Sequence, residues 1–270
     1  MKKTAVLITI ILLIQAEIHS QTMEVGLFGG ASYYLGDINP GVHFQQIKPA
    51  AGVIARYNFD TRWSVRLSAL MGKVAGSDLI SQKVLNRDLQ FESPLTEVAS
   101  VVEFNFFPYV NGSMSNYFTP YIFGGVSLFL FDPQYDGIKL ASLRYEGMVS
   151  ENVYYGTENV NYSRQGFAIP FGIGVKYSVS QRVGLAFEWG MRKTFTDYID
   201  DISTSYPLVA ELTDPIYRSD LTDPTGTHLA GEQRGNPKTM DWFNFVGISI
   251  TVEFDVFKRT TCVDFQYGNR

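Results

Sequence analysis

Apolar and polar positions alternate along much of this chain. From Trp63 to Gly72, Trp63, Val65, Leu67, Ala69 and Met71 share one face, and Ser64, Arg66, Ser68, Leu70 and Gly72 share the other. A strand with that period sets a greasy surface against a small or charged one. The dyad recurs with Phe167, Ile169, Phe171, Ile173, Val175 and Tyr177 set against Ala168, Pro170, Gly172, Gly174, Lys176 and Ser178. It recurs again with Val183, Leu185, Phe187, Trp189 and Met191 set against Gly184, Ala186, Glu188, Gly190 and Arg192. Such runs exceed the usual soluble strand of about 5–6 residues. They match the roughly 9–11 residues with which a tilted strand crosses a bilayer.

The pattern predicts eight strands, at about Met23–Tyr34, Ala50–Phe59, Trp63–Gly72, Leu95–Phe107, Pro120–Phe131, Gly166–Ser178, Val183–Phe195 and Trp242–Phe254. The fifth is apolar on both faces, which leaves its register open. Asp60–Arg62, Pro108–Tyr117 and Val179–Arg182 are short connections; Leu35–Pro49, Lys73–Pro94, Asp132–Gln165 and Thr196–Asp241 are long ones. Short and long alternate strictly, as in an outer-membrane barrel with short periplasmic turns and longer outer loops. The fold predicted is all-β: an eight-stranded antiparallel transmembrane β-barrel. The soluble alternative, an exported sandwich, has no reason to gather every long loop at one end.

The aromatics fall into two groups. Tyr57, Phe59, Trp63, Phe106, Tyr109, Phe118, Tyr177 and Phe254 lie at the short-turn end, and Tyr33, Phe129, Phe167, Trp189 and Trp242 towards the other. Two interfacial girdles are expected, where amphipathic rings are favoured. The polar faces carry Glu24, Arg56, Arg66, Glu97, Glu103, Lys176, Glu188, Arg192 and Glu253. An eight-stranded barrel encloses only enough room for side chains. Mixed charges there must pair, because an unpaired buried ion costs several kcal/mol. A plugged lumen held by ion pairs is the expectation; a selective pore would call for rings of one sign.

The ends add a compartment. Lys2 and Lys3, the apolar run Thr4–Ile14 and the exit Ile18-His19-Ser20 have the order of an export signal, with Gln21 opening the mature chain. The other reading is a buried N-terminal helix. The predicted organisation is a signal peptide at 1–20, a barrel at 21–256 and a short periplasmic tail at 257–270. Cys262 is the sole cysteine, which excludes an intrachain disulfide and a cysteine-rich metal site. Beyond the signal no apolar run reaches the length of a membrane helix. A net charge of −5 without a basic run gives no footprint for nucleic acid.

Chemistry is sparse. His228 with Asp214, Asp220 and Asp223 has the residue types of a hydrolytic pair, but a solvated loop histidine is the ordinary reading. Asp197, Asp200 and Asp201 have calcium-ligand chemistry without an EF-hand spacing, and an acidic solvent-facing loop is the default. No catalytic residue, metal or cofactor is assigned, and no small-molecule substrate is expected.

Five stretches carry a resemblance. They are GGASYYLGDINP (Gly29–Pro40), NRDLQFESPLTEVASVVEFNFFPY (Asn86–Tyr109), TPYIFGGVSLFLFDP (Thr119–Pro133), RKTFTDYIDDIS (Arg192–Ser203) and RGNPKTMDWFNFVGISITVEF (Arg234–Phe254). In this order, and across nearly all of the mature chain, they resemble the PorG family. These are outer-membrane proteins of the type IX secretion apparatus of the Bacteroidetes lineage. The resemblance implies a non-enzymatic part of a protein-export machine, supporting gliding in some members. Its partners would be outer-membrane lipids and a periplasmic ring of a PorK-type lipoprotein and its PorN-type companion. The periplasm-facing residues Pro108, Tyr109, Asn111, Tyr117, Lys258 and Arg259 are the candidate partner contacts. A barrel enzyme, or a surface adhesin or resistance barrel acting through its outer loops, is the alternative.

Overall fold

The computed structural model describes residues 22–84, 86–142, 145–150, 153–208 and 221–255. The export signal, Asp214, Asp220, Lys258, Arg259 and Cys262 lie outside them. Eight long strands form the barrel: β1 (Thr22–Leu35), β2 (Lys48–Asn58), β3 (Trp63–Ser77), β4 (Gln90–Asn105), β5 (Phe118–Phe131), β6 (Gln165–Ser178), β7 (Val183–Thr194) and β8 (Trp242–Asp255). Every neighbouring pair is antiparallel, and β8 returns to β1 with Thr22 opposite Asp255 and Leu35 opposite Trp242. The sheet closes on itself, so no barrel strand is left as an open edge.

The dyad dictates the wall. Leu67 and Met71 stand outward at 56% and 65% exposure, while Arg66 between β3's apolar positions is 2% exposed. The register left open in β5 is fixed by its partners. Ile122, Val126, Leu128 and Leu130 face outward, whereas Tyr121, Phe123, Ser127, Phe129 and Phe131 face the lumen. Phe129, expected in the outer girdle, therefore belongs to the interior. At the short-turn end a girdle does form from ring contacts such as Tyr57–Phe59, Trp63–Phe104 and Tyr117–Tyr177. Tyr109, expected there as well, instead folds into the barrel mouth and is buried.

The interior has two storeys. Near the short turns it is ionic. Towards the long loops it turns aromatic, with Phe28, Phe91, Phe129, Phe131, Phe243 and Phe245 buried together with Ile54, Leu70 and Leu95. This apolar core continues into the long connections through Ile38, Leu89, Leu140, Ile199 and Ile202. The loops are thus folded into a cap. β3 and β4 run past the predicted limits of Gly72 and Leu95, out to Ser77 and back from Gln90, and support it. A helical turn at Asp78–Ser81 and a hairpin of Tyr145–Ser150 with Val153–Asn159 lie within the connections.

Candidate functional site: an ion-paired lumen beneath a locked cap

Glu103 on β4 is the centre of the lower storey. Arg56 Nε lies 2.8 Å from it, Arg66 Nε 2.9 Å and Lys176 Nζ 2.6 Å, one cation each from β2, β3 and β6. Arg56 also meets Glu24 at 2.6 Å, and Arg66 meets Glu188. Three cations balance three carboxylates, all essentially buried. Hydroxyls complete the set: Ser64 donates to Glu103 at 3.2 Å, Tyr121 to Glu188 at 3.0 Å, and Thr251 to Glu24 at 2.7 Å. Aromatic faces fill the gaps, with Lys176 over Tyr121 at 4.7 Å and Arg66 over Phe123 at 5.0 Å. Buried charges persist when paired and hydrogen-bonded.

Arg192 and Glu97 form a separate pair at 3.2 Å, higher in the barrel, with the guanidinium 4.7 Å from the Phe245 ring. Glu253, at the short-turn mouth, accepts a hydrogen bond from Asn111 at 2.7 Å. Tyr109 donates to Asn111 at 2.8 Å, and its ring lies 6.0 Å from Lys176. Two candidate partner contacts, Tyr109 and Asn111, are therefore the stopper of the lower mouth and not its surface. The exposed face of that turn is carried by Phe107, Val110, Met114 and Tyr117. The arrangement fills the lower lumen with paired side chains.

The cap is held by polar groups from distant segments. Arg87 donates to both carboxylate oxygens of Asp78, at 2.7 and 2.8 Å, and to the carbonyls of Asp37 and Arg234. Tyr34 Oη lies 2.5 Å from Asp200 Oδ2 and 2.8 Å from Asp241 Oδ1. A tyrosine hydroxyl has one proton. It satisfies one carboxylate, so the second short contact requires a proton on a carboxyl group. Burial, then the Asp37 charge, push Asp200 up to about 7, against the pull of its hydrogen bonds from Tyr34 and the Ile202 N–H and of Arg87. Burial and the neighbouring Asp200 and Asp197 carboxylates raise Asp241 well above the usual range. Gly36 permits the approach, since a Cβ there would stand 2.0 Å from the Tyr34 hydroxyl and 2.1 Å from Asp241.

The acidic loop is thus not a solvated one. Asp197, Asp200 and Asp201 are buried at 5% exposure or less, with Asp201 accepting from Tyr162 at 2.6 Å. Among the described residues no group of three or more His, Cys, Asp or Glu side chains is placed to hold a metal ion. His228 does meet Asp223, Nδ1 to Oδ1 at 2.8 Å, and stacks on Tyr206 at 4.2 Å. The Thr225 hydroxyl lies 3.4 Å from that same nitrogen. A relay needs the carboxylate on one ring nitrogen and the hydroxyl on the other; in this trio of described residues both meet Nδ1, which braces the loop.

A consequence for pH follows from the cap. An unfolded aspartate titrates near 3.9, and Asp200 in the folded protein near 7. The folded state holds the proton longer, so this contribution is whole below about pH 4 and is lost as pH rises through about 7. The unfolding midpoint of the wild type minus that of Asp200→Asn should fall as pH rises from about 4 to about 7 in a thermal melt and level off above that. A flat difference would show that the cap holds no such proton.

A model of the family described as a domain of unknown function, DUF6089, matches residues 2–263. The chain belongs to the DUF6089 family. No curated protein matches its sequence. Among solved structures, the DUF6089 chain is similar to the attachment invasion locus protein Ail of Yersinia pestis, in complex with sucrose octasulfate. That likeness has a TM-score of 0.42 and 9% identity, over 87% of this chain and 100% of Ail. It is also similar to Neisserial surface protein A, with a TM-score of 0.39, 10% identity and 87% and 97% of the two chains covered. For the outer membrane protein OprG from Pseudomonas aeruginosa the values are 0.37, 12%, 89% and 98%.

Proposed function

We propose that this chain is an integral outer-membrane barrel that works as an anchor and not as a channel, within the type IX protein-export machinery. The observation that carries the reading is the pairing of an apolar outer wall with a buried, ion-paired lumen. Leu27, Leu67, Met71, Val98, Val126, Phe167 and Ile250 are each more than half exposed on that wall. An exposed apolar belt of that extent is a liability in water and a requirement in lipid. The five stretches that resemble the PorG family support the finer assignment. They also supply much of the cap: Tyr34 and Asp37, Arg87, Asp200, and Arg234 with Asp241 come from four of them.

In this reading the short turns and the tail face the periplasm, and the barrel ties a ring of a PorK-type lipoprotein and its PorN-type companion to the membrane. Lys258 and Arg259 of the tail, together with Pro108 and Tyr117, are the contacts. Truncation after Val256 should leave the heat-modifiable folded barrel in the outer-membrane fraction, yet reduce the ring lipoprotein recovered with it. Export of substrate proteins should fall in parallel. A truncated protein that still pulls down the ring and supports export would put the contact on the Pro108–Tyr117 turn or on the barrel wall.

A further inference from the structure

The β1–β2 connection folds back over the outside of the barrel. Asn39 makes the turn: its amide donates to the Val42 carbonyl at 2.8 Å and the Tyr34 carbonyl at 3.2 Å, and its side-chain oxygen accepts from the Val42 N–H at 3.0 Å. His43 and Phe44 then lie against Tyr33 and Trp189, which occupy outward positions of β1 and β7. Trp189 Nε1 donates to the Tyr33 hydroxyl at 2.8 Å, which leaves the tyrosine proton for His43 Nδ1 at 3.0 Å. The Phe44 ring packs on Tyr33 at 5.0 Å and on Trp189 at 6.1 Å. Tyr33 points outward and is nevertheless fully buried beneath these rings. Phe44 holds a φ of 61°, an outlier for a bulky side chain. Such a conformation persists where the surroundings impose it, and here both aromatic contacts do.

The strap has an apolar edge of its own. Val42, Phe44 and Ile47 are 39%, 52% and 57% exposed. Gln45 Nε2 donates to the Ile80 carbonyl at 3.2 Å, which sets the exposed Leu79 and Ile80 of the helical turn beside it. The height of the strap decides what meets this edge. Met23 stands opposite Tyr57 and Phe254, at the short-turn girdle. Tyr33, the seat of the strap, is ten residues further along the same strand, about 34 Å at roughly 3.4 Å per residue. A strand tilt of about 40° reduces that to a rise of about 26 Å, against an apolar band about 25 Å tall. The strap therefore sits where the band ends, and it continues the wall that carries the exposed Leu27 and Phe187 below it.

We propose that the β1–β2 connection is an interfacial strap, whose Val42, Phe44 and Ile47 enter the boundary between acyl chains and headgroups in the leaflet on the long-loop side. At that boundary apolar side chains reach hydrocarbon while the irregular backbone still reaches water. Interfacial anchors of this kind set the depth and tilt of a membrane-spanning element. The strap thus fixes how far the short turns stand out on the opposite side. The proposal rests on the membrane-embedded reading and adds a loop to the surface that meets lipid.

Spin-label depth measurements on the folded, full-length protein in dioleoyl phosphatidylcholine vesicles test it. Cys262→Ser removes the sole cysteine, and a nitroxide is attached through Val42→Cys or Ile47→Cys. Leu67→Cys on the wall and Lys238→Cys, exposed in the β7–β8 connection, are the references. Heat-modifiable migration verifies that each variant is folded. Collisions with oxygen and with a water-soluble nickel chelate should place the Val42 and Ile47 labels about 5–10 Å below the phosphate plane. The Leu67 label should lie deeper and the Lys238 label in water. Phe44→Asp should move the Ile47 label towards water and leave the Leu67 label where it is. Strap labels as open to nickel as the Lys238 label overturn the proposal. So do strap labels shielded from both reagents, as beneath a protein partner, and an Ile47 depth indifferent to Phe44→Asp. A Leu67 label in water refutes the membrane reading itself, whereas a lipid-buried Leu67 label with both strap labels in water refutes only the strap.

Discussion

Glu103→Ala is expected to destabilise the barrel by about 3–5 kcal/mol, the usual result of removing one partner from a buried ion network. Arg56, Arg66 and Lys176 all converge on this carboxylate within 2.9 Å. Alanine leaves three buried cations facing only Glu24 and Glu188. Surface rearrangement cannot relieve them, because each side chain is essentially buried inside a closed wall. Urea unfolding in lipid, followed by heat-modifiable migration, measures the loss. Glu92→Gln is the control. Its carboxylate bridges Lys48 and Lys73 at the exposed rim, where an ion pair contributes about 0–1 kcal/mol. If Glu103→Ala costs no more than Glu92→Gln, the lumen is wet and screened, and the sealed interior is wrong.

Leu67→Arg should cost about 2–4 kcal/mol, the depth-dependent penalty for a cation near the bilayer midplane. Leu67 lies on β3 between the girdle residue Trp63 and the rim residue Lys73, and points outward. Its neighbour Arg66 already carries a guanidinium, on the face turned to Glu103 and Glu188. The two positions differ in little except the side of the wall. The same unfolding assay in lipid checks the value, and a barrel indifferent to Leu67→Arg does not present this face to hydrocarbon.

The wall was legible because its period is local. A strand's two faces are written in consecutive residues, and the alternation of short and long connections gives the topology without any tertiary contact. The lumen residues were legible for the same reason: Glu24, Arg56, Arg66 and Glu188 stand out as charges on strands otherwise apolar or small. Their partners were not. Arg66 and Glu188 are 122 residues apart, and Arg192 and Glu97 are 95 apart. Shear and register decide such pairings, and no short window contains them.

The cap was hidden more deeply. Asp197, Asp200 and Asp201 have the composition of a solvated loop, and burial comes to them from Tyr34, Asp241 and Tyr162 on three separate segments. β5 hid the aromatic storey, because Phe129 and Phe131 alternate with residues equally apolar. A two-face pattern reports contrast, and a strand that is greasy both in and out has none. Tyr109 read as a girdle aromatic from its place near a turn; its hydroxyl bond to Asn111 and its ring beside Lys176 draw it inward instead.

The most direct test of a membrane anchor with a sealed lumen is the current through planar bilayers that contain a counted number of folded, heat-modifiable molecules. With the ion-paired lower storey, the Tyr109–Asn111 pair at the mouth and the aromatic upper storey filling it, the lumen is expected to carry no continuous aqueous path. The expected trace is indistinguishable from bare lipid, with no stable step at any applied voltage. A steady conductance of porin size from the inserted wild-type protein would contradict the account.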